Sequence, residues 1–315
     1  MRETSLTLGD GSVLSLPVIG QGTWGLGEVA ARRSTEIDAL RLGFAEGMRV
    51  VDTAEIYAVG GAEAVVGEAM HDCRDDVFVV TKVWPSHARE ADVLAAVTAS
   101  LRRLRTDRVE ALLLHWPTRS VPFEETMRAF ERVVREGLAR HVGVSNFGPA
   151  GMLAADAAAR PTASVACHEV RYGLDERRAE AFAIPDAVAH GRLFLAYSPL
   201  AHGRLLRAPG ATVLRELADR RGVSPERMAL AWSVVRPGII AIPKAASPAH
   251  VRDNAAAAEL VLDGAEIARL EAAFPRARGA LPSPLPPYAT VHRLALWGLR
   301  QRYGRARSPA GREGA

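Results

Sequence analysis

Short apolar runs alternate along most of the chain with stretches in which apolar positions recur every three or four residues. The runs lie at 49–52, 77–82, 109–115, 141–145, 164–170, 193–198 and 239–243 and are rich in Val, Leu and Ile. The stretches between them predict helices over 35–46, 63–73, 90–104, 123–136, 150–159, 179–190, 212–221 and 225–235. A brief run at 18–20 brings the expected strands to eight. The runs are continuous rather than alternating, which suits parallel strands buried on both faces. Eight strand–helix units over about 250 residues predict an α/β fold, a (β/α)8 TIM barrel. Ahead of it, alternation at 5–8 and 12–15 around Gly9, Asp10 and Gly11 predicts an N-terminal β-hairpin. After it come helices over 248–258 and 265–273, then prolines at 282, 284, 286 and 287. The expected organisation is a barrel domain at 1–280 and a C-terminal helical or loop extension at 281–315. That extension reads as a Pro-rich linker, a basic amphipathic segment at 292–303 and a disordered end beyond 305. A doubly wound sheet is the competitor, and Gly20, Gly22 and Gly25 match the spacing of its glycine-rich turn. No helical pattern starts there, so the match is set aside.

Composition narrows the setting. The 315 residues are 48% hydrophobic and 24% charged, ordinary for a globular protein. No apolar run approaches the ~20 residues of a membrane span, and the N-terminus lacks the apolar core of a secretion signal. Cys73 and Cys167 are too isolated for a disulfide framework or a metal site, which points to a reducing cytoplasm. The net charge of +4 forms no stripe, which argues against nucleic acid and suits an anionic small ligand. Of 40 basic residues only Lys82 and Lys244 are lysines. Arginine cannot be tuned to an intermediate pKa and presents a broad fork, so two surviving lysines are candidates for work a guanidinium cannot do.

Active groups of such a barrel lie at the C-terminal ends of its strands. Asp52, Lys82 and His115 end the second, third and fourth expected strands, and Tyr57 follows on the loop after Asp52. Each could be structural: a buried ion pair, a core histidine, a packed aromatic. Together, at three consecutive strand ends, they read as a proton-donating site. The Lys82 ammonium would lower the pKa of the Tyr57 phenol, Asp52 would hold the lysine charged, and a neutral His115 would orient a substrate carbonyl.

Asp52-Thr53-Ala54-Glu55 with Tyr57, Thr81-Lys82, Leu114-His115-Trp116-Pro117, Gly143 through Phe147, and Ile242-Pro243-Lys244 resemble the aldo-keto reductase superfamily, over about 16–274. The likeness is strongest to bacterial aldehyde and ketone reductases. It implies NADPH or NADP+ as cofactor, with NADH as the alternative, and hydride transfer from nicotinamide C4 to a carbonyl. It assigns Tyr57 as general acid, Lys82 and Asp52 as its tuning pair and His115 as the substrate-orienting group. The cofactor-binding set it implies is Gly22, Thr23, Trp24, Asp52, Ser145, Asn146, Glu169, Tyr197, Ser198, Leu200, Lys244, Arg252 and Asn254. Within that set Ser145 and Asn146 meet the carboxamide, Tyr197 stacks on the nicotinamide, and Ser198 and Leu200 approach the pyrophosphate. Lys244 meets the 2′-phosphate and Asn254 the adenine. Trp24, Trp84 and Trp116 wall a substrate pocket with His115. No metal is implied, and the partner is a small carbonyl compound bound by a monomer or weak homo-oligomer.

Two departures stand out. His168-Glu169 replace the family's usual Asn-Gln: an ionised Glu169 accepts from the carboxamide but cannot donate to it, whereas a protonated Glu169 behaves much like glutamine. His250 replaces a common arginine near the 2′-phosphate, with Arg252 as the candidate substitute. Two other readings use the same residues: a nucleotide-binding regulatory subunit, and a lyase or isomerase reusing the four catalytic groups.

Overall fold

The computed structural model describes residues 1–277 apart from 10, 119 and 161. The expectations for 281–315 lie outside the described residues. Strands β1 (Glu3–Thr7) and β2 (Val13–Pro17) form an antiparallel hairpin, pairing Glu3 with Pro17 and Thr7 with Val13. Eight parallel strands follow: β3 (Gln21–Gly22), β4 (Val50–Asp52), β5 (Phe78–Val83), β6 (Val109–Leu114), β7 (Ala139–Ser145), β8 (Val165–Arg171), β9 (Leu193–Tyr197) and β10 (Ile239–Ile242). They are hydrogen-bonded in chain order. The sheet closes where Gly20 N donates to Ala241 O at 2.8 Å and Gly22 N to Pro243 O at 3.0 Å.

The first barrel strand lies later than the expected 18–20. Residues 18–20 bond to β10, and the pairing with β4 begins only at Gln21 opposite Val51. Glycine is required at this seam. A Cβ on Gly20 would sit 2.7 Å from Val50 O, and one on Gly22 2.7 Å from Ile242 O. The glycine spacing that mimicked a nucleotide-binding turn therefore serves barrel closure.

The helices are α1 (Arg33–Ala45), α2 (Gly61–Ala69), α3 (Glu90–Leu104), α4 (Phe123–Arg135), α5 (Pro149–Ala157), α6 (Ala183–Ala189), α7 (Ala211–Arg220), α8 (Pro225–Ser233), α9 (Pro248–Ala256) and α10 (Gly264–Ala273). The helix expected over 179–190 is instead a 3-10 turn, Arg178–Ala181, followed by α6. Pro185 explains the break: it has no N–H for residue 181, so the helix can only begin just ahead of it.

Alternation inside the strands sorts the core. Val51, Val79, Val83, Leu112 and Leu114 face the helices, whereas Val50, Phe78, Val80, Ala111, Leu113, Leu195 and Ile240 fill the barrel interior. Leu6, Leu8, Leu14 and Leu16 of the hairpin pack against that interior cluster and floor it. Because side chains repeat every two residues along a strand, each inward column continues upward into a polar residue. Val50 leads to Asp52, Val80 to Lys82, Leu113 to His115, Gly143 to Ser145, Cys167 to Glu169 and Leu195 to Tyr197.

His168 faces the other way and packs its ring at 6.4 Å from that of Phe194, fully buried. Neither ring nitrogen makes a well-aligned hydrogen bond, although the backbone of Phe147 lies close enough to favour the charged form slightly. Burial first, and the nearby Arg192 second, hold its pKa down at about 3 against an ordinary 6.5. The unfolded chain therefore takes up a proton that the fold refuses. This group's stability contribution is complete above pH 6.5 and declines as pH falls towards 3, by about 2–3 kcal/mol at pH 4.5. His168→Leu should be at least as stable at pH 7, where it removes two unpaired polar atoms. It should also lose less stability on acidification, and urea denaturation of both proteins at pH 7 and 4.5 reads the difference.

Candidate active site

Neighbouring strands in register carry the inward polar residues to one end of the barrel. Asp52 pairs with Val80, two residues short of Lys82, and Lys82 pairs with Leu113, two short of His115. The backbone of His115 is fixed by its N–H on Val83 O at 3.0 Å. Lys82 is fully enclosed. Its three ammonium protons have three acceptors: Asp52 Oδ1 in very close contact, Thr53 O at 3.0 Å and Tyr57 Oη at 3.5 Å. Asp52, Tyr57, Lys82 and His115 thus form one cluster.

Tyr57 opens a tight turn in which Ala58, Val59 and Gly60 have φ of 51°, 54° and 84°. The left-handed region costs a non-glycine residue roughly 1–2 kcal/mol, so surrounding contacts must hold this turn. One is the approach of Gly27 to α2, where an added Cβ would lie 2.4 Å from the carbonyl carbon of Gly61.

Electrostatics depart from expectation at the tyrosine. Lys82 does pull the Tyr57 phenol down, but burial outweighs it, and Asp52 and Glu169 add to the rise. The net direction is up, not down. A raised value keeps the proton on Tyr57 until charge develops on a partner. The enclosed Lys82 ammonium is opposed by burial but is raised overall by Asp52 and then Glu169. His115 lies well below the usual histidine range, through burial and then Lys82, so its ring is neutral.

Aromatic rings line the cluster. Trp24 meets Tyr57 edge-on at 5.1 Å, Tyr57 meets His115 at 5.6 Å, and His115 meets Trp84 at 5.2 Å. Trp24 is 52% exposed and Trp84 is buried. Trp116 is half-buried on the loop after His115. Glu55, which sequence reasoning missed, accepts from Trp84 N at 2.6 Å and lies 2.9 Å from His87 Nδ1, tying two loops of the mouth together. Its place in the Asp52–Tyr57 motif was the available signal.

The remaining expected contacts divide. Ser145 is buried, and Asn146, at φ 63°, donates to Ser145 Oγ and His115 O and accepts from Tyr197 Oη at 2.8 Å. Tyr197 is half-buried, and Ser198 sits at φ 51° with its hydroxyl 3.1 Å from His202 Nε2. Leu200 is half-buried on the same loop. Gly22 and Thr23 are buried, and Thr23 Oγ1 donates to Asp52 O at 2.9 Å, which holds the end of β4. Lys244 is exposed just beyond β10 and makes no ion pair among the described residues. Asn254 is buried in α9. Arg252 instead lies 3.6 Å from Glu46 at the end of α1, so the arginine expected to replace the family's usual one already has a carboxylate partner.

Glu169 has a neighbour that the sequence did not foreshadow. Expected as an acceptor for a carboxamide, it is 2% exposed and points at Lys82, Oε2 to Nζ 3.2 Å. It stands two residues after Cys167 in the inward column of β8, a register that the sequence pattern carries.

Several buried polar atoms at this end have no hydrogen-bond partner: His115 Nδ1, Trp84 Nε1 and Glu169 Oε2. Unpaired buried polar atoms are costly, and Glu169 Oε2 offsets part of that cost through its ion-pair contact with Lys82. Elsewhere Asp156, Asp186 and His190 come within reach of one another, but Arg192 already pairs with both carboxylates, at 2.7 and 3.4 Å.

The chain and its fold have counterparts. Residues 18–274 match the model of the aldo/keto reductase family. Methylglyoxal reductase YeaE of Escherichia coli K12 is 43% identical over 269 residues, covering 84% of this chain and 94% of that protein. The crystal structure of an aldo/keto reductase from Klebsiella pneumoniae in complex with NADP and acetate superposes with a TM-score of 0.82 at 40% identity, covering 89% of this chain and 98% of that one. A Klebsiella pneumoniae aldo-keto reductase in complex with NADPH gives 0.83 at 39% identity, covering 90% and 100%.

Proposed function

Since the chain belongs to the aldo/keto reductase family, we propose that it reduces aldehyde and ketone carbonyls to alcohols in the cytoplasm, using NADPH, with Tyr57 as the proton donor. The observation that carries this is the enclosed Lys82 ammonium, directed at Asp52 and Tyr57 beside a neutral His115. The described residues fit a dinucleotide. Tyr197 presents a half-buried ring, and Lys244 an exposed ammonium with no ion pair among the described residues. When bound, that cofactor supplies the hydride from nicotinamide C4.

The chain's own residues supply the rest. A substrate carbonyl oxygen placed between Tyr57 Oη and the His115 ring receives a hydrogen bond from each and is held in one orientation. As negative charge builds on that oxygen, the Tyr57 proton moves to it. The phenolate left behind faces the Lys82 ammonium, which Asp52 keeps charged in an enclosed site. Trp24 and Trp84 exclude water and favour a compact, weakly polar substrate. The name of the Escherichia coli relative makes small 2-oxoaldehydes, methylglyoxal first, the substrates to try. Loss of NADPH absorbance with methylglyoxal tests the reading. Binding of NADPH without turnover of any aldehyde, ketone or alcohol would sink it in favour of a regulatory barrel.

Lys244 is assigned to the 2′-phosphate, with no help from Arg252 in its present pairing with Glu46. A charge-assisted hydrogen bond contributes about 1.5–3 kcal/mol. Lys244→Ala should therefore weaken NADPH binding about tenfold or more and leave NADH binding nearly unchanged. Fluorescence titration with both nucleotides measures it, and equal losses for the two would place Lys244 elsewhere.

A further inference from the structure

Lysine has three protons to give, and all three of Lys82 are committed, to Asp52, Thr53 O and Tyr57. Glu169 nevertheless lies 3.2 Å from the same nitrogen, almost wholly buried, in an ion-pair contact whose alignment gives its Oε2 no full hydrogen bond. An ionised carboxylate in that position would be a second buried negative charge beside Asp52, with one ammonium to serve both. Like charges so placed do not both ionise. The two acids are within hydrogen-bonding reach of each other, which is useful only if one of them carries a proton. Asp52 has the direct contact with the ammonium, so the proton belongs on Glu169.

The geometry points to Glu169 as an un-ionised carboxylic acid at neutral pH that donates its O–H to the Asp52 carboxylate, making it a positioning residue for the Asp52–Lys82–Tyr57 array. The arrangement balances charge: one carboxylate, one ammonium, one neutral acid. Asp52, with its second oxygen held by Glu169, keeps its first on Lys82, and the ammonium remains aimed at Tyr57. A direction consistent with this is the large upward displacement of Glu169, caused first by burial and then by the Asp52 charge, with Lys82 opposing. The groups that sense Glu169 are Asp52 on β4, Tyr57 on the following loop, Lys82 on β5, Cys167 on its own strand and Tyr197 on β9. Tyr57 and Lys82 both lie above their ordinary values. Among the three protons a carboxyl group starts from the lowest ordinary value, so the first loss as pH rises is assigned to Glu169. Its ionisation adds a negative charge facing Tyr57, raises the phenol further and destabilises the phenolate that carbonyl reduction leaves behind.

The kinetic consequence rests on the reductase reading, but the protonation state does not, and the two are tested separately. Infrared spectroscopy of the ligand-free protein at pH 7 should contain the C=O stretch of a buried un-ionised carboxyl group. That band should shift in D₂O, vanish in E169Q and fade from the wild-type spectrum alone as pH is raised. Its absence from wild type at pH 7 would overturn the proposal, whether or not E169Q folds. In turnover, wild-type kcat/KM for reduction should fall about tenfold per pH unit above the Glu169 midpoint. In E169Q, whose amide can make the same hydrogen bond without ionising, that fall should move to higher pH. Identical alkaline midpoints would remove Glu169 from the array even with the infrared band present. A protein without reductase activity would still give the infrared answer.

Discussion

Tyr57→Phe is expected to lower kcat for carbonyl reduction by about 10²- to 10⁴-fold, the usual contribution of a positioned general acid, with NADPH affinity unchanged. The substitution removes one oxygen from a ring held by Trp24 on one side and His115 on the other, so the pocket keeps its shape. It also leaves one Lys82 proton without an acceptor, a small loss beside that of the reacting hydroxyl. Because burial holds the phenol above its ordinary value, the proton that Tyr57 donates is in place throughout the neutral range. Titration of this group should therefore leave the wild-type rate nearly unchanged between pH 6 and 8. Steady-state assays with methylglyoxal over that range provide the test. Retention of more than about a tenth of wild-type kcat would transfer the proton to another group.

Lys82→Met should be the most destabilising substitution in the site. It fills similar space but leaves Asp52, 3% exposed, without its cation and Glu169 beside it. Removing one partner of a buried pair costs about 3–5 kcal/mol. The deficit should shrink on acidification, with the following sign. Without the ammonium, the folded-state pKa of Asp52 rises further above its unfolded value. The fold then takes up protons before the unfolded chain does, and stability is regained as pH falls through that raised pKa. Urea midpoints at pH 7 and 5 measure both effects. An unchanged midpoint at pH 7 would mean that no charge is buried there. Lys82→Arg should not rescue: the space is fully enclosed, and the guanidinium is a broader fork than an ammonium. An arginine-rich chain keeps lysine here for a reason of shape as well as of tuning.

Much of this was legible in the chain. Continuous apolar strands and 3.6-residue periodicity carry the barrel, and charged residues at consecutive strand ends carry the cluster. What was not legible turns on properties that neighbours create. The tyrosine's direction depended on weighing burial against one ammonium, and spacing reveals neither the depth of the pocket nor a second acid within it. Glu169 was read through a resemblance that assigned it a ligand, whereas its strand register points it at Lys82. Arg252 met Glu46 because α9 packs beside α1, a contact between elements some two hundred residues apart in sequence. The break before α6 was readable from Pro185 alone and was passed over in favour of the apolar pattern. The first strand was misplaced for a subtler reason, since residues 18–20 and 21–22 satisfy different neighbours of one closed seam.

The leucine-bearing hairpin beneath the barrel has a consequence for traffic. With Leu6, Leu8, Leu14 and Leu16 packed against one end and aliphatic side chains filling the bore, the barrel is closed at its hairpin end among the described residues. Whatever binds at the opposite, strand-end face cannot leave through the hairpin end and must come and go past the loops that carry Trp24. For the proposed reductase, with cofactor and carbonyl both at that face, the partner lying deeper against the cluster would enter first and leave last.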